Sequence, residues 1–430
     1  MPETSPPSSC GIVRWLFFVG IAVSMTFVDL AVVRAQFAFD EPPINYRRST
    51  ATDRVARLAK KLDSGELTLA YDDKYEYLPA VLKELDVPIS SQALVFSKTS
   101  LQIHRISPET PRAIYFNDDV YVAWVQNGYM IEFGAMDDEL GGVFYSLSLD
   151  SAKPRLTRDR GGCNACHASQ RTGRVPGFFI RSVFPREDGR PRDMGTITDH
   201  RSPFEGRWGG WYVTGTHGDL RHIGNEIAKD PDQPEHVDRE RGANLLDLQD
   251  RLDVSPYLSP HSDIVALMVM EHQMQMQNLI TAANYEARRA IDDDLDANKK
   301  RIATAGDKLV EYLLFCDEAP LPFPIAGTSG FSSEFPNRGP RDSQGRSLRD
   351  FDLQTRLFRY PCSYLIYSSS FDALPEPVAT YVRDRVLGIL RGEDKNERFA
   401  HLNDKDRQQL LEILTETKPA WFKNEAIGKL

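Results

Sequence analysis

A chain of 430 residues can hold two or three domains and bury a core that needs no disulfides to fold. With 41% hydrophobic residues, 27% charged residues and a net charge of −10, it has the composition of a soluble globular protein. It lacks the basic balance that would make nucleic acid its partner.

The first 36 residues differ from the rest. Arg14 precedes the apolar run WLFFVGIAVSMTF, and Val33 and Ala35 occupy the −3 and −1 positions of a cleavage site before Gln36. Residues 1–35 are therefore expected to be a signal peptide that exports the chain, to the periplasm or its equivalent. An uncleaved membrane anchor is the minor alternative, because Asp29 inside the run is costly in lipid. Cys10 precedes the apolar run, which leaves four cysteines in a mature chain facing an oxidising compartment.

Residues 36–87 start Pro-rich and then show a short helical pattern through Val55, Leu58 and Leu62. A β-rich region is expected over 88–235. Within it AIYFNDDVYVAWVQNGYMIEFGAM predicts a hairpin around Asn127-Gly128, and GVFYSLSL predicts a further strand. GFFIRSVFPREDGRPR, with Asp188-Gly189 as a turn, and RWGGWYVTGTHGDLRH also have strand-like patterns. From 236 to 318 the pattern is helical, with Ser259-Pro260 as the expected start of a long helix and a second helix in KKRIATAGDKLVEYLLF. Residues 319–360 are a Pro/Gly-rich loop. Residues 361–430 return to helix at EPVATYVRDRVLGIL and at NDKDRQQLLEILTET, the latter capped by Asn403 and stopped by Pro419. The expected class is α+β, with a β-rich N-terminal half and a helical C-terminal half.

The chemistry concentrates in GGCNACHASQ, residues 161–170. Cys163-x-x-Cys166-His167 is the spacing that covalent haem attachment requires: two thiols add to the two vinyl groups, and the adjacent imidazole reaches the iron. Export agrees with this, because c-type haem is attached outside the cytoplasm. Zinc would ask for a second close pair of ligands, whereas Cys316 and Cys362 are far from each other and from the motif. A redox dithiol would be expected beside a βαβ pattern, which is absent here, and a plain Cys163–Cys166 disulfide and zinc are the remaining alternatives.

The motif resembles that of the cytochrome c family. The resemblance covers a few tens of residues and implies one covalent haem c, with Cys163 and Cys166 as thioether sites and His167 as the proximal iron ligand. Gly161-Gly162 before the motif and strand-like sequence after it depart from the helical setting of small cytochromes c. The stretches YFNDDVYVAW, GGWYVTGTHG and LRDFDLQTRLFRYPCSYLIYS resemble exported bacterial proteins described only as cytochrome-c-like, a similarity that implies no activity.

The sixth iron position separates electron transfer from catalysis. His217 is the first candidate distal ligand, with His222, His272 and Met194 as alternatives and His200 and His261 as further histidines downstream. On helical spacing Val265, Met268, His272, Met276 and Leu279 share one face, where a hydrogen-bonded core histidine and packed methionines are the ordinary reading. Cys316 and Cys362 could close a disulfide worth about 3–4 kcal/mol. Asp118-Asp119 and Asp292-Asp293-Asp294 are expected to be a turn and a solvated helix end. The expected function is electron transfer by an exported monohaem cytochrome in a periplasmic oxidoreductase system. Its partner would be a redox protein or a small electron donor or acceptor. A peroxidase-like haem enzyme and a haem-free exported scaffold are the alternatives.

Overall fold

A computed structural model describes residues 38–149, 154–230, 232–233, 235–290 and 295–422. The expected signal segment and Asp292–Asp294 lie outside them. No helix among the described residues is long and apolar enough to cross a membrane.

The fold is α+β. Six strands, β1 (Ala93–Val95), β2 (Arg112–Phe116), β3 (Val120–Trp124), β4 (Met130–Asp137), β5 (Gly141–Ser148) and β6 (Leu156–Arg158), form an antiparallel meander in chain order. The expected hairpin is β3–β4, with Asn127 at φ 54° in its turn. A two-stranded ribbon follows, β7 (Ile180–Ser182) with β8 (Thr196–Thr198), and the Asp188-Gly189 turn falls in its connection with Gly189 at φ 83°.

Strand alternation puts both faces of the sheet to use. Leu94, Tyr115, Val122, Phe133, Val143 and Leu147 point to a core shared with the N-terminal helices α1 (Arg54–Ser64) and α2 (Leu78–Glu84). Val95, Ile114, Phe116, Tyr121, Met136 and Phe144 point to a second core built by the C-terminal half. A one-turn helix, α3 (Asn164–His167), leaves the β6 edge. The C-terminal half is built on α4 (Ile264–Ala290), α5 (Leu295–Leu313), α6 (Glu376–Leu390) and α7 (Asp404–Thr417).

The ends of α6 and α7 fall where the sequence placed them, with the Asn403 side chain accepting from Asp406 N. The start of α4 does not. Asp263 caps it, accepting from Val265 N at 2.8 Å and Ala266 N at 3.1 Å, whereas Ser259-Pro260 belong to the loop before it. Nor is α4 buried on one stripe only: Met268, Met270, Met274 and Met276 are all buried, because the sheet lies on one side and α5 and α6 lie on another. GGWYVTGTHG is a correction as well. It forms no strand; Trp211, Thr214 and Thr216 make isolated bridges to Val95, Asp263 and Ala326, and Trp208 and Gly210 take positive φ. Cys316 and Cys362 are separate buried thiols, so the disulfide does not form.

Candidate functional site

Asp159 ends the β6 edge and organises the motif. Its carboxylate accepts from the backbone N–H groups of Gly161, Gly162 and Cys163 at 3.0, 3.2 and 2.9 Å. The chain can curl this tightly because Gly161 sits at φ 151°, with its Cα so near Arg47 that a Cβ would lie 3.1 Å from Nη2. The turn of α3 then sets Cys163, Cys166 and His167 at i, i+3 and i+4, which is one side of a helix.

His167 is gripped by the segment after it. Gly177 N donates to the His167 carbonyl at 2.8 Å, and the Gly177 carbonyl lies 2.9 Å from His167 Nδ1. With Nδ1–H donated there, Nε2 is left as the nitrogen that carries the free lone pair, and no partner for it is found among the described residues. Phe144 and Phe179 flank the ring at centroid distances of 4.7 and 4.9 Å. Burial lowers the imidazole pKa to about 4, so it is neutral and ready to bind metal at physiological pH. Burial, helped by Asp159, pushes the Cys163 thiol up to about 12, while Cys166 is exposed.

The gripping segment is itself held from 100 residues away in the chain. Phe178 N donates to Asn278 Oδ1 at 2.9 Å, and Asn278 Nδ2 donates to the Phe178 carbonyl at 2.7 Å. Pro176 O accepts from Gly142 N at 2.8 Å, which ties the same segment to β5.

Three arginines surround the motif. Arg112 and Arg171 lie within charge reach of His167, and Arg181 within that of Cys166. Arg112 is paired with Glu132 at 3.3 Å. Arg171 and Arg181 form no ion pair among the described residues, and Arg181 Nε is buried with no partner. Asp193 lies within charge reach of Arg181. Two thiols beside an oriented imidazole are the donor set that a covalent haem takes. Next to Phe144, the sheet row Ala123, Glu132, Ser146 and Thr157 is only partly covered.

The distal candidates gather elsewhere. His217 has both ring nitrogens engaged, Nδ1 with Leu220 O at 2.8 Å and Nε2 with Asn244 N at 3.0 Å. His222 lies against it at 4.9 Å between centroids, accepting from Gly224 N, with its Nε2 buried and unpartnered. His272 meets His200 Nδ1 to Nδ1 at 2.8 Å and Ser363 Oγ through Nε2 at 2.7 Å. Among the described residues neither pair makes a ring contact with His167. Met194 is 70% exposed, near the start of β8, and His261 Nδ1 is buried without a partner.

Arg171, Arg181, Gly177 and Asn278 were missed in the sequence. No local signal marked them: Asn278 is one of several polar residues in its helical run, after Gln273, Gln275 and Gln277. No protein-family model matches the chain, and neither a similar curated protein nor a similar solved structure is found.

Proposed function

We propose that the chain is an exported monohaem c-type cytochrome carrying out electron transfer within a periplasmic oxidoreductase system. Cys163 and Cys166 are the thioether sites and His167 the proximal ligand. The observation that carries this reading is the grip of Gly177 on His167, which commits Nδ1 and leaves Nε2 available beside both thiols. When bound, haem supplies a one-electron iron couple. The chain's residues do the rest: Gly177 fixes the tautomer and ring plane, and Phe144 and Phe179 keep water from the imidazole.

A second reading, an oxidoreductase with an open sixth position, is favoured by the engaged nitrogens of His217 and His272. Ligation through His217 Nε2 would displace the Asn244 amide, and ligation through His272 would break the Ser363 or His200 contact.

Spectra of the purified exported protein test both. A haem that survives acidic solvent extraction is expected, and it is lost in Cys163→Ala/Cys166→Ala; a chain without covalent haem would overturn both readings in favour of the scaffold. Rapid carbon monoxide binding by the reduced protein selects the open site. Replacing His217 or His272 singly is expected to leave the iron spectrum unchanged, and a change would identify that residue as the sixth ligand.

A further inference from the structure

At the β6 edge, facing α1, a groove of about 230 Å³ opens to solvent. Arg48, Arg158 and Arg160 line it, over a floor that includes Ala59, Tyr145 and Leu156. In a chain of net charge −10, three arginines line one cavity, and the carboxylate seen beside its floor, Asp53, is buried and accepts from the Tyr145 hydroxyl. None of the three forms an ion pair among the described residues. Arg158 gives Nη1 to Ser49 O at 2.7 Å and Nη2 to Tyr46 O at 2.9 Å, and its Nε is buried without a partner. Arg160 donates to Arg47 O at 3.1 Å. Backbone carbonyls thus hold Arg158 and Arg160 in place, and no carboxylate among the described residues forms an ion pair with either.

We propose that this groove binds a small organic oxyanion, a carboxylate or phosphate monoester with an apolar body. Guanidinium forks recognise such oxyanions through paired, charge-assisted hydrogen bonds. Tyr145, Leu156 and Ala59 offer the body an apolar bed. The volume lies below the roughly 300–1,000 Å³ of a drug-sized cleft, which suits a small molecule rather than a peptide. Arg160 stands three residues before Cys163, so their Cα atoms are at most about 11 Å apart. An anion held here places its charge next to the thiol motif. The inference stands on the groove alone and does not depend on haem.

Calorimetric titration of the purified full-length protein with benzoate, phenyl phosphate, benzamide and inorganic phosphate tests it, and the haem spectrum is read separately. Benzoate and phenyl phosphate are expected to bind, and benzamide is not. Arg48→Gln/Arg160→Gln should weaken benzoate by about tenfold or more, and Ala59→Glu, which puts a carboxylate on the floor, should abolish it. Unchanged thermal unfolding of these variants shows that they fold. Benzamide binding as well as benzoate, or undiminished binding in the double variant, would overturn the proposal. Inorganic phosphate binding tighter than phenyl phosphate would remove the apolar bed and overturn it too.

Discussion

An Asn278→Ala chain is expected to lose about 3 kcal/mol of stability and, with it, the fixed orientation of His167. The side chain removed is the sole partner seen for both the N–H and the carbonyl of Phe178, which lies in the buried interior. Leaving either group unpaired costs about 1–3 kcal/mol, and alanine offers no replacement. The loosened residue follows Gly177, whose carbonyl sets the imidazole, so the effect reaches the motif. Ile280→Ala, which removes a fully buried side chain two residues on, is the control, with an expected loss of 2–5 kcal/mol. Urea unfolding should show similar losses in the two variants. The signal of the His167 ring, or the iron spectrum of the haem-loaded chain, should change in Asn278→Ala alone. Equal changes in both variants would reduce Asn278 to a stabilising residue.

Arg207→Leu is expected to cost about 3–5 kcal/mol. Arg207 and Glu271 form an ion pair at 3.2 Å with side chains 3% and 0% exposed. Thr198 Oγ1 also donates to Glu271, and Arg207 also donates to the carbonyls of Ser202 and His200. Burial pushes the Glu271 carboxyl up to about 7 even with the guanidinium beside it. Removing that guanidinium leaves a buried acid with Thr198 and Trp208 as its polar neighbours, which is the costly way to dismantle such a pair. Arg207→Leu/Glu271→Leu should recover much of the loss, since no isolated charge remains, and Glu271→Gln should be milder than Arg207→Leu. Denaturant midpoints of the wild-type chain, Arg207→Leu, Glu271→Leu and the double variant give the coupling. A double variant as unstable as the sum of the single ones would show that the two residues act independently.

Local features were legible in the sequence, and long-range ones were not. The α+β division, the β3–β4 hairpin and the helices α6 and α7 follow from alternation, turn residues and caps. Asp263 was passed over as a cap because Ser259-Pro260 offered an equally good local signal; the choice was made by tertiary bonds such as Thr328 N and Ser329 N to the second carboxylate oxygen of Asp263. GGWYVTGTHG alternates as a strand does, yet Gly209 and Gly210 let the backbone pass close to Val183 and Ser97, where a Cβ would clash, and the segment meets β1 through an isolated bridge instead of adding a strand. The thiol–imidazole motif was readable because its chemistry is set by adjacent residues. Its supports were not, since Arg181 and Asn278 reach it only through the fold.

On α4 the residues Gln273, Gln277, Asn278 and Asn284 are all buried, and each donates to a backbone carbonyl outside the helix: Asn117, Asp118, Phe178 and Asp138. One rod thus registers two turns of the sheet and the strap over His167. The thiols and the imidazole are neighbours in sequence, whereas the strap over the imidazole is anchored a hundred residues away, so the orientation of His167 depends on the closing of a long loop, whose entropy the buried contacts of the rod must offset.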